Sequence, residues 1–414
     1  MGWLAGWRYR REITIDHTLI DGALVNFPIL LYLGTSSGTG STDVSAIFTE
    51  LGANSLKIAA TIDDGTTECY VEIETWDNGN NKAWLWVKVP AISNSVDTIL
   101  YLYYDNTHDD NTDKVGVVTS VPGQAVWDDD FVIVMHLKEA GSGAANEFKD
   151  STSNGHHAST VGGTPDQVDG KISKGQNFID THSDAIFLAD HADFDLTTAI
   201  TIECWLNLDS NDNNNRGIAT RLTSPGADAW TMGKFNDAAG NKVGFLINAG
   251  AAGDGILSSE AAPTEEWHHW MGTYDTDVGA DQAMLYKDGT LDGQGPSVNN
   301  MVVNNQPIML SRWYSNVGGY YLDGSIDEFR MSKIARTPEW AKATFYSGND
   351  GLVAYGVLED PIIILSSNVV AASSSILLIK ERGIILTDNL VVTQLGALSL
   401  KAAYIRKTSF NMVI

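Results

Sequence analysis

The chain has 414 residues, 43% of them hydrophobic and 19% charged, a composition that makes two or three packed domains and excludes a disordered polymer. Its 52 acids against 26 Lys and Arg leave a net charge of −26, which argues against a nucleic-acid partner and favours contact with cations. The only two cysteines, Cys69 and Cys204, lie far apart in apolar, strand-like runs and read as small core residues rather than as a disulfide.

The chain opens "MGWLAGWRYRREITID". Arg8, Arg10 and Arg11 break its apolar part at once, so no secretory signal is expected and assembly in a cytoplasm is. Residues 1–120 then alternate through "YRREITID", "FPILLYL", "SLKIAATI", "CYVEIETW", "KAWLWVKVP" and "TILYLYYDN", with turn pairs at Asp64-Gly65 and Asn78-Gly79. Period-two alternation without a sustained 3.6-residue period predicts a β-sandwich.

Residues 121–358 repeat that pattern in "AITIECWLNL", "VGFLINAG", "EEWHHWMGTYD", "QAMLYKDGTL" and "PIMLSRW", separated by loops rich in Asn, Asp and Gly. A second, larger sandwich of jelly-roll type is expected. Thr337 and Pro338 predict one short helix over 337–346. The acidic run Asp128–Asp130 reads as a solvated linker. In "GSIDEFRMS", strand alternation puts Ile326, Glu328 and Arg330 on one face and Asp327, Phe329 and Met331 on the other. A carboxylate then shares an apolar face, which is costly unless it is paired.

Residues 359–414 carry an internal repeat. "IILSSNVVAASSSILLIK" (363–380) aligns without gaps to "IILTDNLVVTQLGALSLK" (384–401), an offset of 21 residues, and "TSFNMVI" reads as part of a third copy. Each copy predicts strand, polar turn and strand, that is, β-hairpins, with turns at Ser366-Ser367-Asn368 and Thr387-Asp388-Asn389. One copy cannot bury its own apolar face, so the tail is expected to serve assembly or anchoring. Residues 361–379 lack charge, but their serines and β-branched runs favour strands over a membrane span.

Six stretches of the middle segment, in order, resemble the laminin-G-like, concanavalin A-like jelly roll: "KDSTSNGHHAS" (149–159), "GKISKGQNFIDTHSDAIFLADHADFDL" (170–196), "AITIECWLNL" (199–208), "EEWHHWMGTYD" (265–275), "LYKDGTL" (285–291) and "YLDGSIDEFRMSKIARTPEW" (321–340). The first segment resembles a domain of unknown function often found just before such jelly rolls, through "GWRYRREITID", "KAWLWVKVP" and "ILYLYYDN". "FVIVMHLKEA" (131–140) fits the usual bridge between the two, with Met135 where the family has an aromatic. The expected fold is thus all-β: two consecutive β-sandwiches, the second a concanavalin A-like jelly roll, and a β-hairpin repeat tail. In that family the acid of the Ile-Asp-Glu signature often lies near the Asp of the Asp-Ser-x-x-Asn-Gly loop, and the two can hold a structural calcium. The resemblance therefore implies Asp150, Asn154 and Asp327 as metal ligands, calcium being served by six to eight oxygens. The other reading is that Asp327 only accepts backbone hydrogen bonds.

Lectins of this architecture bind through rim loops or a concave face. "SRWYSNVGGYY" (311–321) offers Trp313, Tyr314, Asn316 and Tyr320 as a ring-stacking and amide-bearing surface, unless Trp313 and Tyr321 pack inward. "DSNDNNNRG" (209–217) is a second rim loop. His268 and His269 are neighbours on a strand, face opposite ways and cannot share one metal. Glycosidases of this class carry Glu-x-Asp-x-x-Glu or Glu-x-Asp-x-Glu on one strand, a spacing that occurs nowhere in the chain. Glu72 and Glu74 share a face but belong to the other segment, and no catalytic residue is expected. Together these features lead us to expect a non-enzymatic surface protein of a virion, in its capsid decoration or tail. It would display the jelly roll to glycans or a host surface and bind other virion proteins through a tail that oligomerises, with a trimer as the first expectation. The other readings are a cell-surface adhesin or filament subunit and an accessory module of a glycan-active enzyme. Neither nucleic acid nor a membrane span is expected.

Overall fold

The computed structural model describes residues 2–359 except 223–228, 239, 249–254, 280, 297–299 and 316–319, together with five short strands of the tail. The molecule is all-β apart from short helices. In the first sandwich a five-stranded sheet (Val353–Glu359, Tyr9–Ile15, Thr98–Tyr104, Ile58–Ile62, Glu68–Cys69, in spatial order) faces a four-stranded one (Leu24–Leu33, Lys82–Ile92, Val71–Asp77, Val115–Val117). Ile13, Ile15, Leu100 and Leu102 from one sheet and Phe27, Ile29, Leu31, Leu85 and Val87 from the other fill the space between them. The apolar positions of each alternating strand turn inward, as the pattern requires.

The second sandwich stacks a seven-stranded sheet on an eight-stranded one. Their core holds Ile133, Met135, Ile202, Cys204, Leu206, Ile218, Met232, Phe245, Ile326, Phe329 and Met331. Cys69 and Cys204 are free and buried, and burial pushes the Cys69 thiol up to about 12.

The strand Val353–Glu359 follows the jelly roll in sequence but pairs antiparallel with Tyr9–Ile15, from Arg10↔Glu359 to Ile15↔Val353. The expected boundary at residue 358 assigns it to the jelly roll, whereas its hydrogen bonds assign it to the first sandwich. The jelly roll is thus an insertion into that sandwich. The two share one apolar core: Trp205, Met271 and Tyr286 of the jelly roll cluster with the first sandwich and with Trp340, Ala341 and Ala343 of the helix Pro338–Gly348. Thr337 caps that helix by accepting from the Trp340 N–H, and Pro338 opens it, as predicted. Its Trp340 ring meets Phe27 edge-on at 4.7 Å, and its Ser347 hydroxyl accepts from the Leu30 N–H at 2.8 Å. The helix is therefore the wedge between the domains.

In the tail, Ile363–Leu365, Ile384–Leu386 and Ile405–Lys407 form one parallel sheet, with Ile363↔Ile384↔Ile405 in register. Ile379–Lys380 and Leu400–Lys401 pair in parallel too. Partners are 21 residues apart, the repeat offset itself. Among the described residues this corrects the hairpin expectation, because the strands of each copy pair with the equivalent strands of the next copy. Parallel strands need a long crossover, and one repeat supplies it. The expected turn sites at 366–368 and 387–389, and "TSFNMVI", lie outside the described residues.

Candidate functional site

Two loops expected at the jelly-roll rim are brought together. The Gly217 N–H donates to the Tyr320 carbonyl at 3.0 Å, and the Arg216 Nη1 donates to the Tyr321 carbonyl at 2.7 Å. A Cβ at Gly217 would stand 2.3 Å from the Arg312 backbone, so only glycine permits this approach. Under the loops lies a cage centred on Asp212. Arg216 Nε reaches its Oδ1 at 3.0 Å, Lys234 Nζ reaches the same oxygen at 2.8 Å and the Asn214 amide takes its other oxygen. Burial works to raise the Asp212 carboxyl, but the bonds from Arg216, Lys234 and Asn214 outweigh it and hold the group well below the usual carboxylate range. Asn241 donates to the carbonyls of Asn211 and Asp212, which fixes the Asn-rich loop and leaves Asn213 and Asn214 facing solvent.

The candidate rings divide. Trp313 is only 8% exposed, packed edge-on to Phe235 at 4.8 Å and over Gly233. This corrects its place in the ring-stacking surface, since a wide apolar ring gains most by burial. Tyr314 is half-buried and Tyr320 is 50% exposed, with their rings at 5.9 Å and 84°. Tyr320 has φ +59°, a conformation costly for a bulky residue. Asn316 lies outside the described residues.

Asp150 and Asp327 do different work. The Asp150 oxygens accept from the N–H groups of Val134, Thr152 and His156 and from the Thr152 hydroxyl, at 2.8–3.0 Å. A carboxylate has about four acceptor sites, so this one is filled and has none left for an ion. Asn154 donates its amide to the carbonyls of Phe131 and Val132. Asp327 accepts from the Ile172 N–H at 2.8 Å, and its other oxygen is buried without a hydrogen bond. The geometry therefore gives Asp150 and Asn154 a part in shaping their loop.

The puzzle of the adjacent acids is solved by a β-bulge. Opposite Gly324–Ser332, Glu203 pairs with Arg330 and Trp205 with Asp327, so Cys204 alone faces two residues. Glu328 takes φ +54° at that point. The extra residue turns Asp327, Glu328 and Arg330 toward the first sandwich and keeps Ile326, Phe329 and Met331 in the jelly-roll core. This corrects the strict alternation, which put Asp327 with Phe329 and Met331.

The sequence reading missed what meets them there. His136 Nδ1 lies 2.7 Å from Glu328 Oε1, and its Nε2 lies 3.3 Å from Glu72 Oε2. Trp127 Nε1 donates to Glu72 at 2.7 Å and Trp86 Nε1 to Glu74 at 2.9 Å. Arg330 bonds Glu328 at 2.6 Å, lies 3.7 Å from Glu203 and stacks on Trp86 at 4.3 Å and Trp127 at 5.1 Å. All these side chains are at most 5% exposed. Burial, then the Glu328 charge, pushes the Glu74 carboxyl up to about 7. Burial works against a charged His136, but Glu328, Glu74 and Glu72 outweigh it and raise the imidazole well above its usual value. The usable signal was the pair Glu72 and Glu74 on one strand face, but nothing local pointed to their partners. His268 and His269 do face apart, toward Asp288 and Glu203 respectively. Asp128, expected in a solvated linker, is an ion-pair partner of Arg336 at 3.0 Å.

Among solved structures, the chain is similar to domain 4 of AbnA, a GH43 extracellular arabinanase from Geobacillus stearothermophilus, in complex with arabinotriose. Identity is 17%, over 51% of this chain and 97% of that one, with a TM-score of 0.34. It is also similar to the binding domain of Paraclostridial Mosquitocidal Protein 1 (17% identity, 53% and 52% coverage, TM-score 0.40). A third is the botulinum neurotoxin serotype D ligand binding domain in complex with N-acetylneuraminic acid (13%, 54% and 52%, 0.40). The match spans about half the length of the two toxin domains. No curated protein matches the chain. Residues 54–130 match a domain of unknown function, DUF2341, and residues 180–342 behind it match the concanavalin A-like lectin/glucanases superfamily, in keeping with the jelly roll described above.

Proposed function

We propose that the chain is a non-catalytic glycan-binding surface protein whose contact is the rim built from residues 209–217 and 311–321. The observation that carries this reading is Tyr320, half exposed, held at a costly φ, set edge-on to Tyr314 and joined through its carbonyl to Gly217 of the loop that carries the exposed Asn213 and Asn214. Exposed aromatic faces stack on sugar rings, and amides take hydroxyls. The carboxylates of the eight-stranded sheet, Glu203 and Glu328, support a non-catalytic role, because they are paired and enclosed beneath the first sandwich. On this reading the protein is displayed on a virion, and the tail joins copies of the chain to one another or to the particle. The in-register parallel rungs support that assembly role: among the described residues, the outer edges of Ile363–Leu365 and Ile405–Lys407 are unpaired. No described helix is long and apolar enough to cross a membrane.

The test is a glycan array probed with the chain and with Tyr314→Ala/Tyr320→Ala. The variant should lose retention on whichever glycan holds the wild type while its melt stays within about 0.5 kcal/mol, as for surface substitutions. Equal retention by the variant refutes the rim as the contact.

A further inference from the structure

The loop at 150–157 does present a metal-ligating group, though not toward Asp327. The strands Ser159–Thr160 and Ile186–Leu188 pair antiparallel, Ser159 opposite Phe187. Carried three residues further, that register sets His156 opposite Asp190 and next to His191. Both sides are anchored. The His156 N–H is held by Asp150, and Arg221 clamps the other loop through Asp190, Asp195 and the Phe194 carbonyl. Two imidazoles and a carboxylate converge between the anchors. His156 Nε2 lies 2.9 Å from Asp193 Oδ2, and His191 Nδ1 lies 3.2 Å from the same oxygen. All three atoms fall within 4.8 Å of one another. The rings of His156 and His191 are 4.6 Å apart, and Phe194 backs His156 at 4.8 Å.

The Asp193 N–H donates to His191 Nδ1 at 3.2 Å, so that nitrogen is unprotonated, and an ion that takes its lone pair displaces this one hydrogen bond. The same nitrogen lies 3.2 Å from the Asp193 carboxylate oxygen. The nearby Arg221 is occupied by Asp190 and Asp195. An ion bound at roughly 2.0–2.2 Å to each ligand in a tetrahedral site separates its ligands by roughly 3.3 Å, close to the spacing observed. Two nitrogens and one oxygen suit zinc and its first-row neighbours, whereas calcium and magnesium take oxygen.

We propose that His156, His191 and Asp193 form a surface site for a divalent transition ion of the zinc type, with a fourth position open to water or to a group from outside. The ion ties the 150–157 loop to the 189–196 loop at the edge of the seven-stranded sheet. His191 is half exposed, so His191→Ala removes one ligand without touching the core.

Calorimetric titration of the full chain with Zn2+ should give one site, weakened at least tenfold in His191→Ala and in Asp193→Asn. Visible absorption of bound Co2+ should fall in parallel. His17→Ala, which removes the exposed cluster of Asp16, His17 and Asp97, should bind as the wild type does. A wild type that takes up no Zn2+ at about 1 mM, well above the range of a three-ligand zinc site, overturns the proposal. So does a His191→Ala variant that binds equally tightly.

Discussion

The chain holds two networks of carboxylates and cations, and a carboxyl of each, Asp212 and Glu74, is shifted in the opposite direction. At the rim, Asp212 is shared by Arg216 and Lys234 and stays charged far into the acid range. Between the domains, Glu72, Glu74, Glu203 and Glu328 face one Arg and two imidazoles, and the Glu74 carboxyl rises to about 7. Burial opposes charge in both places. The ratio of cations to carboxylates, together with the water still reaching Asp212, decides which way each group moves. The rim network can hold its shape over a wide pH range. The interdomain network has more anions than cations and must carry a proton.

The largest expected effect comes from removing the cation that the interdomain carboxylates share. Arg330→Ala strips both Glu328 and Glu203 of a partner within a closed interface and should cost about 3–5 kcal/mol in denaturant unfolding. A loss under about 1 kcal/mol means the stack on Trp86 and Trp127, not the charge, is what Arg330 supplies.

Next is Glu74→Gln, which keeps an acceptor for the Trp86 indole but no longer titrates. The folded Glu74 holds its proton more tightly than the unfolded chain does. Its contribution is therefore full below about pH 4.5 and is lost as pH rises to about 7. At about 1.36 kcal/mol per unit this amounts to at most about 3 kcal/mol. Melts from pH 4 to 8 should fall less steeply in the variant, which should be the more stable protein above pH 7. The charge on His136 also stabilises at low pH, and its loss at higher pH should remain visible in the variant. Parallel curves for wild type and variant would place the titrating group elsewhere.

The smallest effect belongs to the rim. In Lys234→Met, Asp212 keeps Arg216, so the cost should be about 1–2 kcal/mol, with little change in pH dependence between 4 and 8. A slope like that at the interdomain site would show that Arg216 alone cannot hold Asp212 charged.

Strand positions, the capped helix and the jelly-roll character were legible because each rests on local chemistry: alternation, Thr337 with Pro338, and motifs in order. The bulge at Glu328 was not, since an extra residue is visible only against its partner strand. For the same reason the partners of Glu72 and Glu74 were hidden, as His136 and Glu328 lie 62 or more residues away along the chain. At the rim, residue types marked the right loop but could not rank Trp313 against Tyr320, because inward and outward facing depend on Phe235 and Gly233 across the sheet. In the tail the offset of 21 was plain, while strand direction was not: a period of two reads alike in parallel and antiparallel pairing.

The return of the chain to its first sandwich also sets a path for mechanical load. The tail leaves from Glu359, and Glu359 sits beside Arg10, whose guanidinium bonds it at 2.9 Å and lies over Tyr101 at 3.8 Å and Trp3 at 4.5 Å. Tension drawn through the tail enters the molecule at this pair and works along one edge strand, rung by rung, toward Val353. With the rim engaged, that load reaches the strand through the jelly roll spliced in just upstream of it, and the core the two domains share lies on the same path.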